Sequence, residues 1–472
     1  MGYRVIKFEV NGKHKLYPYF EDYCKKAKNL YNVTNYNIRQ VMTGIKKKPS
    51  ERQENEVNVL KNIEQTLPQM NAIRTNDKGK KQGKTVTEFT MPTEKKWFLS
   101  YNFLDCLLKV NNDADYRALP AQVNQQVMKR CVKNWKSYFS SLKQYKKTPD
   151  AFTGQPKIPK YKKSNMDNVI FTAIVCNLKF KDNKCYIKFP KTEEQLCVGE
   201  YLSPDTKLQQ VEVSPYYGKF LVTVIIKDKD ITPKEVKPKR VFAIDPGVNN
   251  FATISNNIGA VPIIIKGGVI KSRNQYFNKT RAKLLSDLQK GMDSSHSPKN
   301  SKRLNSLSRN RQNFLKDYFY KIAHSIVRAA VSNDVDTVIV GSNAGWKQAV
   351  NIGKKNNQNF VNIPYAKFNG ILEYLCLKNN IRYIEVNEAY TSRASFLDFD
   401  EIPNYGDKDI PEFSGKRIKR GLYKSGNGQI INADINGASN ILRKTVPSAF
   451  EGVGNFDNLL KAEVWNYQKY YK

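Results

Sequence analysis

Residues 3–10 alternate apolar and polar side chains, which predicts a strand with one buried face. The period then lengthens to three and four, predicting helices over about 19–45, 55–67 and 97–110, with a basic, glycine-broken loop at 76–84. The clearest helix runs from about 120 to 144. Pro120 suits its first turn, and Val123, Val127, Cys131, Trp135, Phe139 and Leu142 fall on one face, opposite Lys129, Lys133, Lys136 and Lys143. Between about 169 and 227 the period returns to two. Apolar runs at 169–173, 184–189, 211–213 and 220–226 predict short strands, and their spacing predicts a small β-barrel. Residues 232–240, basic and carrying Pro233 and Pro238, predict a linker and a domain boundary.

Beyond residue 240 strand and helix patterns alternate. Strands are predicted at 241–245, 251–255, 263–265, 268–270, 337–340 and 382–386. Helices are predicted at about 273–290, 306–332, 365–379 and 436–444, with a Ser/Lys-rich loop at 294–301 and a longer loop reaching about 423. The Lys/Tyr-rich end, 467–472, reads as a frayed tail.

A length of 472 residues suits about three domains, and 40% hydrophobic with 11% aromatic residues belongs to a globular chain. Charge changes the picture most. The 79 Lys and Arg stand against 43 Asp and Glu, a formal net charge of +36. Such self-repulsion costs stability unless a polyanion neutralises it, so nucleic acid is the expected partner. No run approaches the roughly 18–20 apolar residues of a membrane span, and the first residues hold no signal-peptide apolar region. A soluble protein with no membrane partner is expected. Seven scattered cysteines without a C-x-x-C pair predict reduced, mostly buried thiols. Only His14, His296 and His324 are available for histidine chemistry, too few to favour a His-based metal site or a Ser-His-Asp triad.

Residues 129–163 hold eleven Lys and Arg against one acid, Asp150, with six aromatics interleaved. Cations neutralise phosphates and aromatics stack on bases. Lys129, Arg130, Lys133, Trp135, Lys136, Lys157, Lys160, Tyr161 and Lys162 are therefore candidate nucleic-acid contacts. The plainer alternative is a solvated basic helix followed by a Pro/Gly linker.

The candidate chemistry lies in carboxylates. Asp245 ends a buried strand just before a turn, Glu388 follows the strand at 382–386, and Asp434 stands at the start of a helix. Three acids from three separated elements, 143 and 46 residues apart, suit phosphodiester hydrolysis with Mg²⁺. Hard cations take oxygen ligands, and two ions about 4 Å apart clamp the attacking water and the leaving oxygen without any histidine.

These residues resemble a family. Asp245-Pro246-Gly247-Val248-Asn249-Asn250, then Gly268-x-x-Lys271-x-x-Asn274-Gln275-Tyr276-x-Asn278-Lys279, then Tyr390-Thr391-Ser392, then Asn432-Ala433-Asp434-Ile435-Asn436-Gly437-Ala438-x-Asn440 resemble the RuvC-type nuclease of TnpB proteins. TnpB proteins are RNA-guided DNA nucleases encoded by insertion sequences and regarded as ancestral to type V CRISPR effectors. Leu119-Pro120-Ala121-Gln122-Val123 and Gly154-x-Pro156-Lys157-Ile158-Pro159-Lys160-Tyr161-Lys162 are also similar to that family, so the likeness spans most of residues 115–445.

The resemblance implies a multidomain α+β chain. A β-barrel wedge domain (1–15 and 155–235) receives a helical recognition domain (16–154) as an insertion. An RNase H-like, RuvC-type α/β nuclease domain (240–390 and 426–446) follows, with a target-nucleic-acid-binding insertion (391–425) and a C-terminal tail (447–472). It also implies a guide RNA, from a transposon end or a CRISPR array, and a double-stranded DNA target beside a short flanking motif. The implied location is a prokaryotic cytoplasm, with the protein nucleoid-associated when bound to DNA.

Two departures from the family pattern matter. Family members usually carry the middle catalytic Glu just after the strand matching Val338-Ile339-Val340, where this chain has Gly341-Ser342-Asn343. Either the nuclease is dead or another acid has taken the place. Glu388 is the candidate, with Glu385 on the same strand in reserve. The second departure is the zinc finger that typically follows the Tyr-Thr-Ser motif, because the segment after Ser392 has no Cys pair. No zinc is expected, and Arg417 and Arg420 of that insertion are candidate substrate contacts. The resulting expectation is an Mg²⁺-dependent, RNA-guided DNA endonuclease with two ions on Asp245, Glu388 and Asp434, in which guide pairing reads the sequence. A nuclease-dead, RNA-guided DNA-binding repressor is the rival, kept open by Gly341. A transposition strand transferase is disfavoured, since no Tyr or Ser nucleophile motif with His ligands is present.

Overall fold

The computed structural model describes residues 2–79, 87–200, 202–228, 237–293, 297–342, 363–407, 409–451 and 456–466. Outside them lie most of the expected linker, His296, Asn343, part of the glycine-broken loop and the expected tail at 467–472. The chain divides into two units, Met1–Asp230 and Ile231–Lys472.

The first unit begins with β1 (Gly2–Val10) and then runs through α1 (Leu16–Gly44), α2 (Glu54–Gly79), α3 (Tyr101–Val110), α4 (Ala114–Arg117) and α5 (Ala121–Lys147). It ends in β2 (Val169–Thr172), β3 (Asn177–Lys181), β4 (Lys184–Lys188), β5 (Gln195–Gly199), β6 (Leu208–Tyr216) and β7 (Lys219–Asp228). β1 and β7 pair antiparallel from Gly2↔Asp228 to Val10↔Phe220, so all five helices are inserted into one sheet. The strands do not close into the expected barrel. They form an open sheet of order β1-β7-β6-β2 and a separate three-stranded sheet, β3-β4-β5. Helix α1 gives the reason: Leu16, Phe20 and Cys24 are fully buried, and Phe20 packs edge-on against Phe189 (5.1 Å) and Phe220 (6.0 Å). The helix covers the apolar face that barrel closure would have enclosed. A single core runs from α1–α5 into both sheets. α2 does not end at Leu67 as expected, although Pro68 follows. Ile63 and Met70, fully buried on either side, carry it through the proline to Gly79, so 76–79 are helical rather than loop.

The second unit contains β8 (Val241–Pro246), β9 (Asn250–Asn256), β10 (Ile263–Lys266), α6 (Gly268–Gln289), α7 (Lys302–Ser332), β11 (Thr337–Ser342), α8 (Tyr365–Lys378) and β12 (Arg382–Asn387). It continues with β13 (Lys416–Lys419), β14 (Leu422–Lys424), β15 (Ile430–Asn432), α9 (Ala433–Thr445) and β16 (Glu463–Trp465). A mixed six-stranded sheet has the order β12-β11-β8-β9-β10-β16, with β8–β9–β10 an antiparallel meander and β11 and β12 added in parallel.

Strand parity distributes the side chains between two cores. On β8, Phe242 and Ile244 join α7 and α8, while Val241 and Ala243 join α9. On β11, Val338 and Val340 take the first side and Ile339 the second.

Three sequence expectations need correction in this unit. Residues 268–270 are the first turn of α6 rather than a strand, with Ile270 fully buried. The loop up to 423 contains β13 and β14, which pair with β15 as a small antiparallel sheet. The stretch after 447 is not wholly a tail, because β16 pairs in parallel with β10 and extends the main sheet. β13, β14 and β16 are each three or four residues long, too short to show a period.

Candidate active site

Asp245 continues the parity of Val241 and Ala243 and therefore faces α9. The helix passes so close that a Cβ at Gly437 would sit 2.8 Å from Asp245 Oδ2. The turn after Asp245 is equally tight, since a Cβ at Gly247 would meet the Asn250 carbonyl at 2.6 Å. Tyr365, at the start of α8, donates from its hydroxyl to Gly247 O (2.5 Å) and stacks on Phe251, fixing the turn from the other side of the sheet. Nothing in the sequence marks Tyr365 for this role. It reads only as the first residue of a helix.

Asp434 lies in the first turn of α9, where a carboxylate also favours the helix dipole. The N-cap is Asn432, whose Oδ1 accepts from the amides of Asp434 (2.9 Å) and Ile435 (3.3 Å). Asn436 and Asn440, one turn apart and fully buried, stitch the helix to the segment after β12. Asn436 donates to Ala394 O and accepts from Phe396 N, while Asn440 donates to Thr391 O and Ala394 O. The four-residue spacing of these asparagines is therefore a docking device. Asn250 closes the Asp245–Asn250 turn motif. Its amide donates to Asp434 Oδ2 (2.6 Å) and accepts from Lys266 (3.0 Å), orienting the acid.

Glu388 stands one residue past β12. Its carbonyl accepts from Thr391 N (3.2 Å) and Thr391 Oγ1 (2.8 Å). With Ile384 and Val386 it shares the parity that faces α9, and a Cβ at Gly341 would lie 2.7 Å from Glu388 Oε2. Glu388 thus occupies the space over Gly341. Glu385 has the opposite parity, is exposed, and accepts from Tyr383 (2.9 Å) and Asn369 (3.2 Å).

The three acids act on one another. Burial, then Glu388, then Asp434 hold the Asp245 carboxyl well above the usual carboxylate range, with Arg417 pulling the other way. Burial pushes Glu388 from an ordinary 4.5 up to about 7. Arg417 of β13 faces Asp434 Oδ1 at 3.4 Å. Among the described residues no three acids, cysteines or histidines are close enough to share one ion. The donor set nevertheless suits a hard divalent cation: the acids are oxygen donors, Asp245 stays raised by its neighbours despite Arg417, and glycines at 341 and 437 let the acids approach the helix and strand.

A raised carboxyl has a defined effect on stability. The contribution of Glu388 to the metal-free protein is complete below about 4.5 and lost as pH rises through about 7, on the order of 3 kcal/mol. Glu388→Gln is expected to raise the melting temperature without metal, with a gain about twice as large at pH 8 as at pH 5.5. Thermal melts at the two pH values check this.

The basic candidates separate into groups. Lys133 and Lys136 are exposed on α5, and Lys129 is exposed beside the Tyr101 ring. Lys157, Lys160, Tyr161 and Lys162 line a cleft of about 500 Å³ with Tyr31 and Tyr138. Arg130 sits behind it, half-buried, holding Asp167 at 2.8 Å and the Asn168 carbonyl. Arg417 and Arg420 are exposed in and just after β13.

Trp135 is not a nucleic-acid contact. It is fully buried among Trp97, Phe98 and Phe139, so no base can reach its ring. Its indole donates to Asn35 Oδ1 (2.9 Å), and Asn35 donates to Pro159 O (3.2 Å). Trp135 thereby supports the strap that carries Lys157 and Lys160. Trp135→Ala is expected to cost about 3–5 kcal/mol of stability. Lys157→Ala and Lys160→Ala should leave the melt unchanged and flatten the salt dependence of RNA binding. Denaturant unfolding and a salt titration of RNA affinity separate the two effects.

Asp245, Glu388 and Asp434 thus lie where strands of a mixed sheet meet a helix, with the exposed Arg417 beside Asp434. Residues 210–347 match the family model described as "Probable transposase" of the OrfB IS605 type, and residues 365–441 match the TNB domain of Cas12f1-like proteins. Asp245 falls in the first match, and Glu388 and Asp434 fall in the second. The chain is TnpB-like and related to the compact type V effectors. No curated protein matches it. Among solved structures it is similar to a Cas12f1–sgRNA–target DNA complex, at 15% identity over 86% of this chain and 82% of that one, with a TM-score of 0.45. A CRISPR–Cas12f ternary complex gives 15% identity over 90% and 80%, with a TM-score of 0.33. CasPhi-2 (Cas12j) bound to crRNA and phosphorothioate-DNA gives 9% identity over 83% and 89%, with a TM-score of 0.34. Among the described residues no helix is long and apolar enough to cross a membrane.

Proposed function

We propose that this chain is an RNA-guided DNA endonuclease whose second unit is a RuvC-like nuclease. The observation that carries the reading is the gathering of Asp245, Glu388 and Asp434 on the α9 side of one sheet, close enough for two of them to raise the third. They are the residues that would hold divalent cations, two Mg²⁺ ions by the chemistry of the reaction. When bound, such ions activate water and stabilise the leaving oxygen.

The chain's own groups supply the remaining work. Asn250, backed by Lys266, orients Asp434. Arg417 places a guanidinium fork beside the acids, where a scissile phosphate can meet it. In the first unit, Lys133, Lys136, Lys157 and Lys160 supply phosphate contacts and Tyr161 a stacking face. A guide RNA and a double-stranded DNA target are the proposed partners, supported by the TnpB-like relationship and by the net charge of +36. Helices α1–α5 would serve guide recognition, the two sheets of the first unit the wedge, and 391–425 the target strand, in a prokaryotic cytoplasm.

The test is a cleavage assay. The protein is purified with its co-purifying RNA and offered a matched duplex with a randomised flank, with Mg²⁺ or with EDTA. Cutting that requires Mg²⁺ and one flanking motif is expected. Tight, guide-dependent binding without cutting would instead favour the repressor reading.

A further inference from the structure

Residues 395–427 contain a network that the nuclease reading does not use. Every oxygen of the two carboxylates in it accepts a hydrogen bond. Asp398 accepts from Ser395 Oγ (2.5 Å), Gly426 N (2.6 Å) and Asn427 N (3.3 Å). Asp400 accepts from Ser395 N (2.7 Å), Ser414 N (3.1 Å) and the Ser414 hydroxyl. Ser414 lies two residues before β13 and Gly426 two residues after β14. One short segment therefore grips both strands of a single hairpin at its open end.

β15 pairs with β14 on one side, which leaves β13 as the edge strand of a three-stranded sheet. All four residues of β13 are exposed, so that edge buries no side chain of its own. On β14 only Tyr423 is buried, and its hydroxyl donates to Arg393 O (2.7 Å), back into the gripping segment. The approach is close: a Cβ at Gly415 would come within 2.5 Å of the Tyr423 ring. At the opposite end, Gly421 O accepts from Ala433 N (3.0 Å), beside the cap that orients Asp434. Clasp and cap together fix the position from which Arg417 reaches Asp434.

We infer that Asp398 and Asp400 are positioning residues: a carboxylate clasp that holds the β13–β14 hairpin in register with α9 and thereby sets Arg417 at the acidic centre. The clasp does for this insertion what a bound metal does in a metal-stapled loop pair. No cysteine follows Cys376 and no histidine follows His324, so thiolate and imidazole ligands are absent from this part of the chain. The carboxylate oxygens are met by N–H and O–H donors, whose positive ends oppose a cation. The effect on cleavage rests on the nuclease reading above, whereas the clasp itself does not.

The experiment uses the full chain with its guide RNA. Hydrogen exchange should show the amides of Ser395, Ser414, Gly426 and Asn427 protected. Asp398→Ala and Asp400→Ala should each speed exchange across 412–428 by about tenfold or more, and slow cleavage by about tenfold at unchanged guide affinity. Asp400→Asn, which keeps one acceptor oxygen, should recover part of both, and Ser414→Ala should show a milder form if the stronger variants fail to fold. In an Arg417→Ala background Asp400→Ala should add little further loss of rate, because both act through one group. A zinc chelator should leave exchange and cleavage unchanged. Unaltered exchange in the Asp398→Ala, Asp400→Ala double variant, additive losses with Arg417→Ala, or unravelling by the chelator would overturn the clasp. If the unmodified complex fails to cut, the nuclease reading falls, and exchange alone still decides the clasp.

Discussion

Asp245→Ala or Asp434→Ala is expected to lower cleavage of a guide-matched duplex by about three orders of magnitude or more, while guide-RNA affinity stays within about twofold. The loss follows from the site's construction. Each acid is one of the three proposed to hold the cations, and a lost ligand would remove several kcal/mol of charge stabilisation from the transition state. Retained affinity follows from the rest of the surface, because one carboxylate out of 43 scarcely alters a net charge of +36. Asp245→Ala also removes a carboxyl held up by burial first and by the Glu388 and Asp434 charges second, so the metal-free protein should not be destabilised by electrostatics. Gel cleavage and filter binding on the same preparations check both halves.

Glu388→Ala is expected to silence cleavage to a similar degree, and adding Gly341→Glu should then restore about tenfold or more of the lost rate. The second change works because the two positions compete for one space: a Cβ at Gly341 points at Glu388 Oε2, 2.7 Å away, and meets Ile441 Cδ1 at the same distance. Gly341→Glu in the unmodified chain therefore brings a steric clash and a second negative charge, and should itself depress activity. Ile441→Val relieves the remaining contact in the swapped variant. Cleavage at the original rate after Glu388→Ala would place the third ligand elsewhere and leave the function standing. Single-turnover rates for the four variants decide between these outcomes.

What the sequence revealed followed from how local each signal was. Asp245 and Asp434 were legible because a strand-end acid and a capped helix start are nearest-neighbour patterns. Choosing Glu388 over Glu385 needs only the parity of Ile384 and Val386, although it takes the sheet to show which parity faces α9. Trp135 illustrates two signals in conflict: the one-sided stripe of α5 pointed to the core, the cluster of lysines pointed to nucleic acid, and the stripe decided. The barrel failed for a nonlocal reason, since α1 covers the face that closure would have used, and the strand pattern carries no trace of that helix. β13, β14 and β16 were invisible because a period of two cannot show itself in three or four residues. The clasp was invisible too, because Asp398, Ser414 and Gly426 come together only through the hairpin.

The most direct measurement replaces the guide. The protein is loaded with RNA whose pairing segment has been rewritten and is then offered, with Mg²⁺, two duplexes that differ only in matching the old or the new sequence. Cutting should move entirely to the newly matched duplex and vanish in the Asp245→Ala protein. Cutting that ignores the guide, or binding that follows it with no cut in either duplex, would contradict an RNA-guided nuclease built on these three acids.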